Sequence, residues 1–281
     1  MKKGLVLEGG AMRGMFTAGV MDVLMENGVE FDGAVGVSAG AAFGCNYKSG
    51  QIGRVIRYNT RFCGDPRYGG LRCLLREGNL YSKDFCYGEV PLKHDRFDFE
   101  AYEKNPMEFY VVCTNVSTGE AVYKKCERFE NNNFDWIRAS ASMPLVSRIV
   151  EIDGLGLLDG GIADSIPVRF FEGIGYDRYV TVLTQPKGYQ KSKNKAIGLM
   201  KLKYRRYPKL VQAMEHRHET YNETVEYIER KERAGEMFVI RPDESLPIGR
   251  VEKDPQKLLQ VYELGRAVAQ RELTRVKEFL K

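Results

Sequence analysis

The sequence predicts an α/β fold: helices on both faces of a mostly parallel β-sheet, followed by a helical C-terminal extension. Three observations carry this. Short apolar runs that end at turn residues, such as 4–7 and 32–37, read as buried parallel strands. Helically spaced segments alternate with them. Beyond about residue 185 the texture changes to long, charged helices.

The elements follow in order. Gly4-Leu5-Val6-Leu7 is the first strand. Residues 14–27 place Phe16, Val20, Val23 and Leu24 on one helical face, and Gly28 closes that helix. A second strand spans 32–37, and a helix of small residues starts at Ala39. Residues 51–62 look helical and 63–80 loop-rich. Residues 108–116 are the clearest strand, with 120–124 as its partner. A short helix covers 134–141. Residues 147–158 form a hairpin around Asp153-Gly154, a dipeptide suited to a tight turn. Residues 178–184 are a core strand. Helices at 194–204 and 208–234, a strand at 237–241 and a helix at 255–280 complete the chain. Asp254 and Pro255 supply that last helix with an N-cap and first residue. The strand at 237–241 must pair somewhere, so the C-terminal third packs against the rest.

Bulk properties bound the possibilities. The 281 residues are 43% hydrophobic and 29% charged, ordinary for a globular protein able to bury a large core. The apolar run after Met1-Lys2-Lys3 is too short for a secretory signal, and no stretch suits a spanning helix. The six cysteines form no C-x-x-C pair, read as free thiols, and with the histidines show no zinc-ligand spacing. A cytoplasmic location, without metal or cofactor, is the expectation. Net charge is +5, yet 187–217 holds ten Lys or Arg against one acid, Glu215. This is a basic segment on an otherwise mildly acidic chain.

Three motifs carry chemistry. Gly36-Val37-Ser38-Ala39-Gly40 is a G-x-S-x-G between a strand and a helix, where a nucleophile elbow needs small flanking residues and lifts its serine above the sheet. Gly9-Gly10-Ala11-Met12-Arg13-Gly14 also links a strand to a helix, and its backbone N–H groups can face an oxyanion. With Asp32 further on, the same loop can be read as a dinucleotide site, although Ala11 replaces the middle glycine of that fingerprint. Asp159-Gly160-Gly161 follows the strand ending at Leu157-Leu158. Only three histidines exist, His94, His216 and His218, all in charged surroundings. Either His216 or His218 completes a Ser-His-Asp triad, or a partly desolvated carboxylate acts directly on the serine.

A GGxxRG loop, a GxSxG elbow, an Ala-Ser-rich block at Ala139-Ser140-Ala141-Ser142-Met143-Pro144 and a later DGG resemble, in that order, the patatin-like phospholipases. The resemblance covers about residues 4–185. It implies a three-layer α/β/α sandwich over 1–185 and a helical extension over 186–281, as in a bacterial branch of the family. It further implies hydrolysis of lipid acyl esters without a metal, Ser38 as nucleophile and Asp159 as its base. Backbone N–H groups along Gly9, Gly10, Ala11 and Met12 would be the oxyanion donors. Ala11 stands where the family usually has glycine, and a negative φ there would keep the hole intact. Arg13 is expected to orient the loop, meet a substrate phosphate, or pair with an acid on the sheet rim.

Competing readings are an esterase or thioesterase for soluble substrates, a conventional α/β-hydrolase triad, and a non-catalytic lipid- or nucleotide-binding protein on the same scaffold. A nucleic-acid binder finds no recognition module here. In the basic segment, Lys201, Lys203, Arg205, Arg206 and Lys209 interleave with Leu199, Met200, Leu202, Tyr204, Tyr207 and Leu210, a mixture suited to peripheral contact with anionic membranes.

Overall fold

The computed structural model describes residues 1–129 and 134–281. Its strands are β1 (Lys3–Leu7), β2 (Gly33–Val37), β3 (Glu108–Asn115), β4 (Ala121–Lys125), β5 (Val150–Ile152), β6 (Leu155–Asp159), β7 (Arg178–Val182) and β8 (Phe238–Ile240). They form one sheet in the order β5-β6-β3-β2-β1-β7-β8, with β4 also on β3. The pairs among β3, β2, β1, β7 and β8 are parallel. Those of β3 with β4 and β6, and of β5 with β6, are antiparallel.

The pleat sorts strand residues into two cores. Leu5, Leu7, Ala34, Val111 and Val180 face one, Val6, Val35, Val37 and Val112 the other. The first core is covered by α1 (Gly14–Glu26), α2 (Ala39–Lys48) and α3 (Arg54–Phe62). Two short helices, α4 (Leu71–Glu77) and α5 (Phe99–Lys104), flank a loosely wound π-type segment at Phe85–His94. Then come α6 (Asp135–Ser140), α7 (Val168–Gly173), α8 (Ile197–Lys203), α9 (Pro208–Arg233) and α10 (Pro255–Phe279). Val168 and Phe171 of α7 and Tyr221, Val225 and Ile228 of α9 cover the second core. Leu258, Val261, Val268 and Val276 of α10 join the first. The sheet therefore carries helices on both faces, as expected.

Local expectations failed where segments are short or contacts distant. Residues 63–80 contain α4, and the six-residue α5 and α7 are too brief to show a period. Asp98 nonetheless caps α5 by accepting from the Ala101 N–H (2.9 Å). The expected single apolar face of α1 is instead burial all round, from Gly14 to Leu24. α10 contributes to this by packing closely along α1. A Cβ on Gly19 would lie 2.1 Å from the Tyr262 carbonyl oxygen, and one on Gly265 would lie 2.0 Å from that of Phe16. Residues 237–241 find their partner in β7, extending the parallel sheet.

One feature of the topology positions the site. At 110–112, β2 and β4 flank β3; at 113–114, β6 and β4 flank it. A strand has only two edges, so β2 and β6 lie end to end on the same edge of β3. Val37 closes β2 opposite Val112, and Asp159 closes the oncoming β6 opposite Cys113. The residues just past the two strand ends therefore meet.

Candidate active site

Ser38 follows β2 with φ 55° and ψ −118° and caps α2. Non-glycine residues rarely occupy that region, because the Cβ crowds the backbone. The turn is sharp enough that a Cβ on Gly36 would lie 2.4 Å from the Gly40 carbonyl oxygen, and one on Gly40 would lie 2.4 Å from that of Leu7. The glycines flanking the elbow are thus sterically required. Ser38 is not exposed above the sheet as expected: it is 8% accessible and lies at the junction of two cavities.

Its hydroxyl donates to Asp159 Oδ2 at 2.7 Å. The other carboxylate oxygen, Oδ1, accepts from the Gly161 N–H at 2.8 Å. Asp159 is buried, and burial pushes its carboxyl above the usual aspartate range; the neighbouring Arg217 charge and the Ser38 hydrogen bond offset part of that rise. The arrangement holds a serine hydroxyl against a carboxylate of raised proton affinity, which suits proton transfer between them.

The Ala-Ser block braces both partners. The Ser38 N–H donates to Ser140 Oγ (2.8 Å), which donates to the Val112 carbonyl (2.6 Å). The Asp159 N–H donates to the Ser142 carbonyl (2.8 Å), and Thr114 Oγ1 donates to the Asp159 carbonyl (2.8 Å).

The glycine loop lies beside Ser38: a Cβ on Gly9 would be 3.2 Å from the Ser38 Cβ. Gly9 and Gly10 donate their N–H groups to no acceptor among the described residues. Ala11, Met12 and Arg13 form a short helical turn. The negative φ that would let an alanine keep the hole intact is not adopted at Ala11. Its φ is +49°, so the chain accepts the left-handed conformation at an alanine.

Several sequence-based alternatives are removed. His216 pairs with Glu219 at 2.7 Å, and His218 meets the Glu215 carbonyl; neither touches Ser38 or Asp159. His94 packs against the Phe62 and Phe85 rings. Asp32 accepts from the Lys3 N–H (2.7 Å), at the end of the sheet opposite the glycine loop, so it cannot serve a nucleotide bound there. Arg13 makes no ion pair among the described residues, and its buried Nε has no acceptor. The acid on that rim, Glu8, is engaged by the Thr184 N–H, the Thr184 hydroxyl (3.1 Å) and the Tyr221 hydroxyl (2.7 Å).

The two cavities differ in character. The first, about 110 Å³, is mainly apolar, walled by Ala42, Phe43, Tyr58, Tyr87, Val90 and Ile137. The second, about 340 Å³, runs from Ser38 and Asp159 to Lys191, Arg217 and Arg250. Ser140, Tyr221, Arg217, Lys191 and Arg250 were not singled out from the sequence as site residues. Arg217 sits between the two histidines that were, and its Nε donates to the Gly161 carbonyl.

Comparison with known proteins adds the lineage. A family described as domain of unknown function DUF6363 matches residues 207–281. The chain is 30% identical over 282 residues to the uncharacterized protein YjjU of Escherichia coli, covering 93% of this chain and 74% of that protein. It is 29% identical over 188 residues to the lysophospholipase nte1 of Aspergillus niger, covering 62% of this chain but 11% of that protein. It is 28% identical over 186 residues to an uncharacterized NTE family protein of Mycobacterium tuberculosis, covering 63% and 48%. Among solved structures, VipD from Legionella pneumophila aligns with a TM-score of 0.46 at 14% identity, covering 98% of this chain and 67% of that one. The family described as patatin-like phospholipase matches residues 5–171, which hold the elbow, the glycine loop and the Asp-Gly-Gly turn, and the chain belongs to that family.

Proposed function

We propose that this chain is a serine hydrolase of lipid acyl esters, of phospholipase A or lysophospholipase type, with Ser38 as nucleophile and Asp159 as its base. The observation that carries the reading is the 2.7 Å hydrogen bond from Ser38 Oγ to Asp159 Oδ2 at the mouth of an apolar cavity. Asp159 takes the hydroxyl proton as Oγ attacks the ester carbonyl. The oxyanion develops against the free N–H groups of the Gly9–Met12 loop. Each such donor is worth about 3–4 kcal/mol in the transition state. Asp159 returns the proton to the departing alcohol, leaving an acyl-enzyme. Water, deprotonated by the same carboxylate, then releases the fatty acid. The acyl chain lies in the cavity of Phe43, Tyr58 and Ile137, and the head group lies toward Arg217. No metal takes part in these steps.

Incubating the protein with a fluorophosphonate probe and mapping the adduct tests this. Labelling at Ser38 is expected, with fatty acid released from an acyl-lipid panel. An unlabelled Ser38 in an active preparation would refute it. Esterase action on soluble substrates is separated by rate: a lipid enzyme accelerates when its substrate passes from monomer to micelle.

Peripheral membrane contact is part of the same reading. Only some of the apolar residues at 199–210 stay outside. Met200, Tyr204 and Leu210 are buried, whereas Leu199 and Leu202 are 57% and 68% exposed. Lys201 is tied to Glu215 at 2.6 Å and Lys203 Nζ donates to the Leu145 carbonyl (3.2 Å), leaving Arg205 and Arg206 beside the exposed leucines. Leu71 and Leu75 of α4 are 68% and 79% exposed. The two helices flank one segment: Tyr204 receives the Leu145 N–H, and the Leu80 N–H, just after α4, donates to Val146. Leu80, Leu145 and Val146 line the larger cavity, so the two helices that carry the exposed leucines border a segment of its wall.

A further inference from the structure

The larger cavity carries four cationic side chains from four separate segments: Arg13 after β1, Lys191 after β7, Arg217 of α9 and Arg250 after β8. None forms an ion pair with a described residue. The Arg217 guanidinium gives one N–H to the Gly161 carbonyl. Lys191 Nζ rests 4.1 Å from the Tyr221 ring centroid, and its backbone N–H is held by Asn222 (2.8 Å). Arg13 Nε is buried with no acceptor. Like charges brought together without partners repel, and burial makes each more costly. Burial foremost, then Arg217, Arg13 and Arg250, pulls the Lys191 ammonium down to about 8, against a partial opposing pull from Glu8. Arg217 is lowered too, burial first and Arg250 next among the lowering causes. Such a cluster suits an anion.

The charges indicate which anion. Four cations and one carboxylate, Asp159, line the cavity, and a second carboxylate, Glu8, is buried behind it against Thr184 and Tyr221, leaving an excess of at least two positive charges. A phosphomonoester carries close to two negative charges at neutral pH, with a second pKa of about 6, whereas a phosphodiester carries one. The forked guanidinium groups suit its several oxygens.

Resting on the proposed Ser38 chemistry, we propose that Arg13, Lys191, Arg217 and Arg250 bind a terminal phosphate on the leaving-group side of Ser38, so that the preferred substrate is an acyl ester of a phosphomonoester, of the acyl-glycerol-phosphate class. Lys191, Arg217 and Arg250 lie outside residues 5–171. Arg217 and Arg250 belong to the 207–281 segment of unknown function, which this assigns to head-group recognition.

Two measurements on the full chain test the site. The first compares kcat/KM for three lipids with one acyl chain in the same neutral detergent micelles: 1-oleoylglycerol 3-phosphate, 1-oleoylglycerol and the corresponding phosphocholine diester. The phosphomonoester is expected to lead by about tenfold or more, as one or two charge-assisted hydrogen bonds would give. The double variant Lys191→Met, Arg250→Met should lose most of that lead. The second uses Ser38→Ala, so that catalysis is not needed, and titrates glycerol 3-phosphate and inorganic phosphate by calorimetry. Saturable binding of glycerol 3-phosphate, lost in the double variant, is expected. Tighter binding of inorganic phosphate would make this a free-phosphate site and overturn the substrate assignment. Equal kcat/KM for the three lipids, or a lead that survives the double variant, would overturn the proposal while leaving the dyad standing. No hydrolysis of any lipid with calorimetric binding intact would instead refute the dyad and keep the anion site.

Discussion

Replacing Ser38 by glycine should leave a more stable protein than replacing it by alanine, reversing the usual order. Both changes delete the hydroxyl and its bond to Asp159 equally, so their difference isolates the backbone. Ser38 sits at φ 55° and ψ −118°. A residue with a Cβ in such a region is strained by about 1–3 kcal/mol. Glycine escapes that strain but loses more freedom on folding, by about 0.5–1 kcal/mol. The net advantage of Ser38→Gly over Ser38→Ala is about 1 kcal/mol, within about 0–2.5 kcal/mol. For a chain of this size about 1 kcal/mol corresponds to roughly 2 °C in Tm. Differential scanning calorimetry on the two variants, with urea midpoints as a second probe, reads it. Ala267→Gly, on the exposed side of α10, is the control and should cost about 1 kcal/mol. If Ser38→Ala melts at or above Ser38→Gly, the serine carries no elbow strain, and the argument from its backbone fails.

Turnover should fall roughly 10⁴-fold in Ser38→Ala, and nearly as far in Asp159→Asn, because the amide keeps the shape but accepts no proton. His216→Ala and His218→Ala should keep most activity, and a 10³-fold loss in either without unfolding would instead indicate a triad of the kind that costs about 10⁴ when broken. The Asp159 carboxyl is raised above its ordinary 3.8 mainly by burial, so kcat/KM should fall with decreasing pH through a midpoint above that value. The native state also holds this proton more tightly than the unfolded chain, so the group adds stability at low pH and loses it as pH rises through the native midpoint. Asp159→Asn, which cannot ionise, should therefore melt no lower than wild type at pH 7–8 while being inactive. Sedimentation with anionic liposomes should be strong in low salt, weak in high salt, and lost when Lys203, Arg205 and Arg206 become Glu, with soluble-ester hydrolysis spared; unchanged sedimentation would remove this patch from the account.

Much was legible in the sequence because it depends on neighbours along the chain. The runs at 4–7, 32–37 and 178–184 are apolar in strand-length blocks, and they became the parallel centre of the sheet. Gly36 and Gly40 announced a turn too tight for side chains, and the distances across it bear that out. Asp153-Gly154 marked the β5–β6 hairpin, with φ positive at both residues. Ser38, Asp159 and the glycine loop stand together as their order suggested. What the sequence could not contain is how distant segments meet. Ser38 and Asp159 are 121 positions apart, and they touch because β2 and β6 arrive head to head on one edge of β3. No local pattern encodes which edge a strand takes; the packing of both sheet faces selects it. The same holds on α9. Successive helical residues point about 100° apart, so of His216, Arg217 and His218 only one can face the cavity. In a helix so rich in polar residues, local periodicity did not reveal which. The pairing of Tyr221 with Glu8 and the burial of Val225 and Ile228 against the sheet set the helix's rotation, and that rotation turned Arg217 inward.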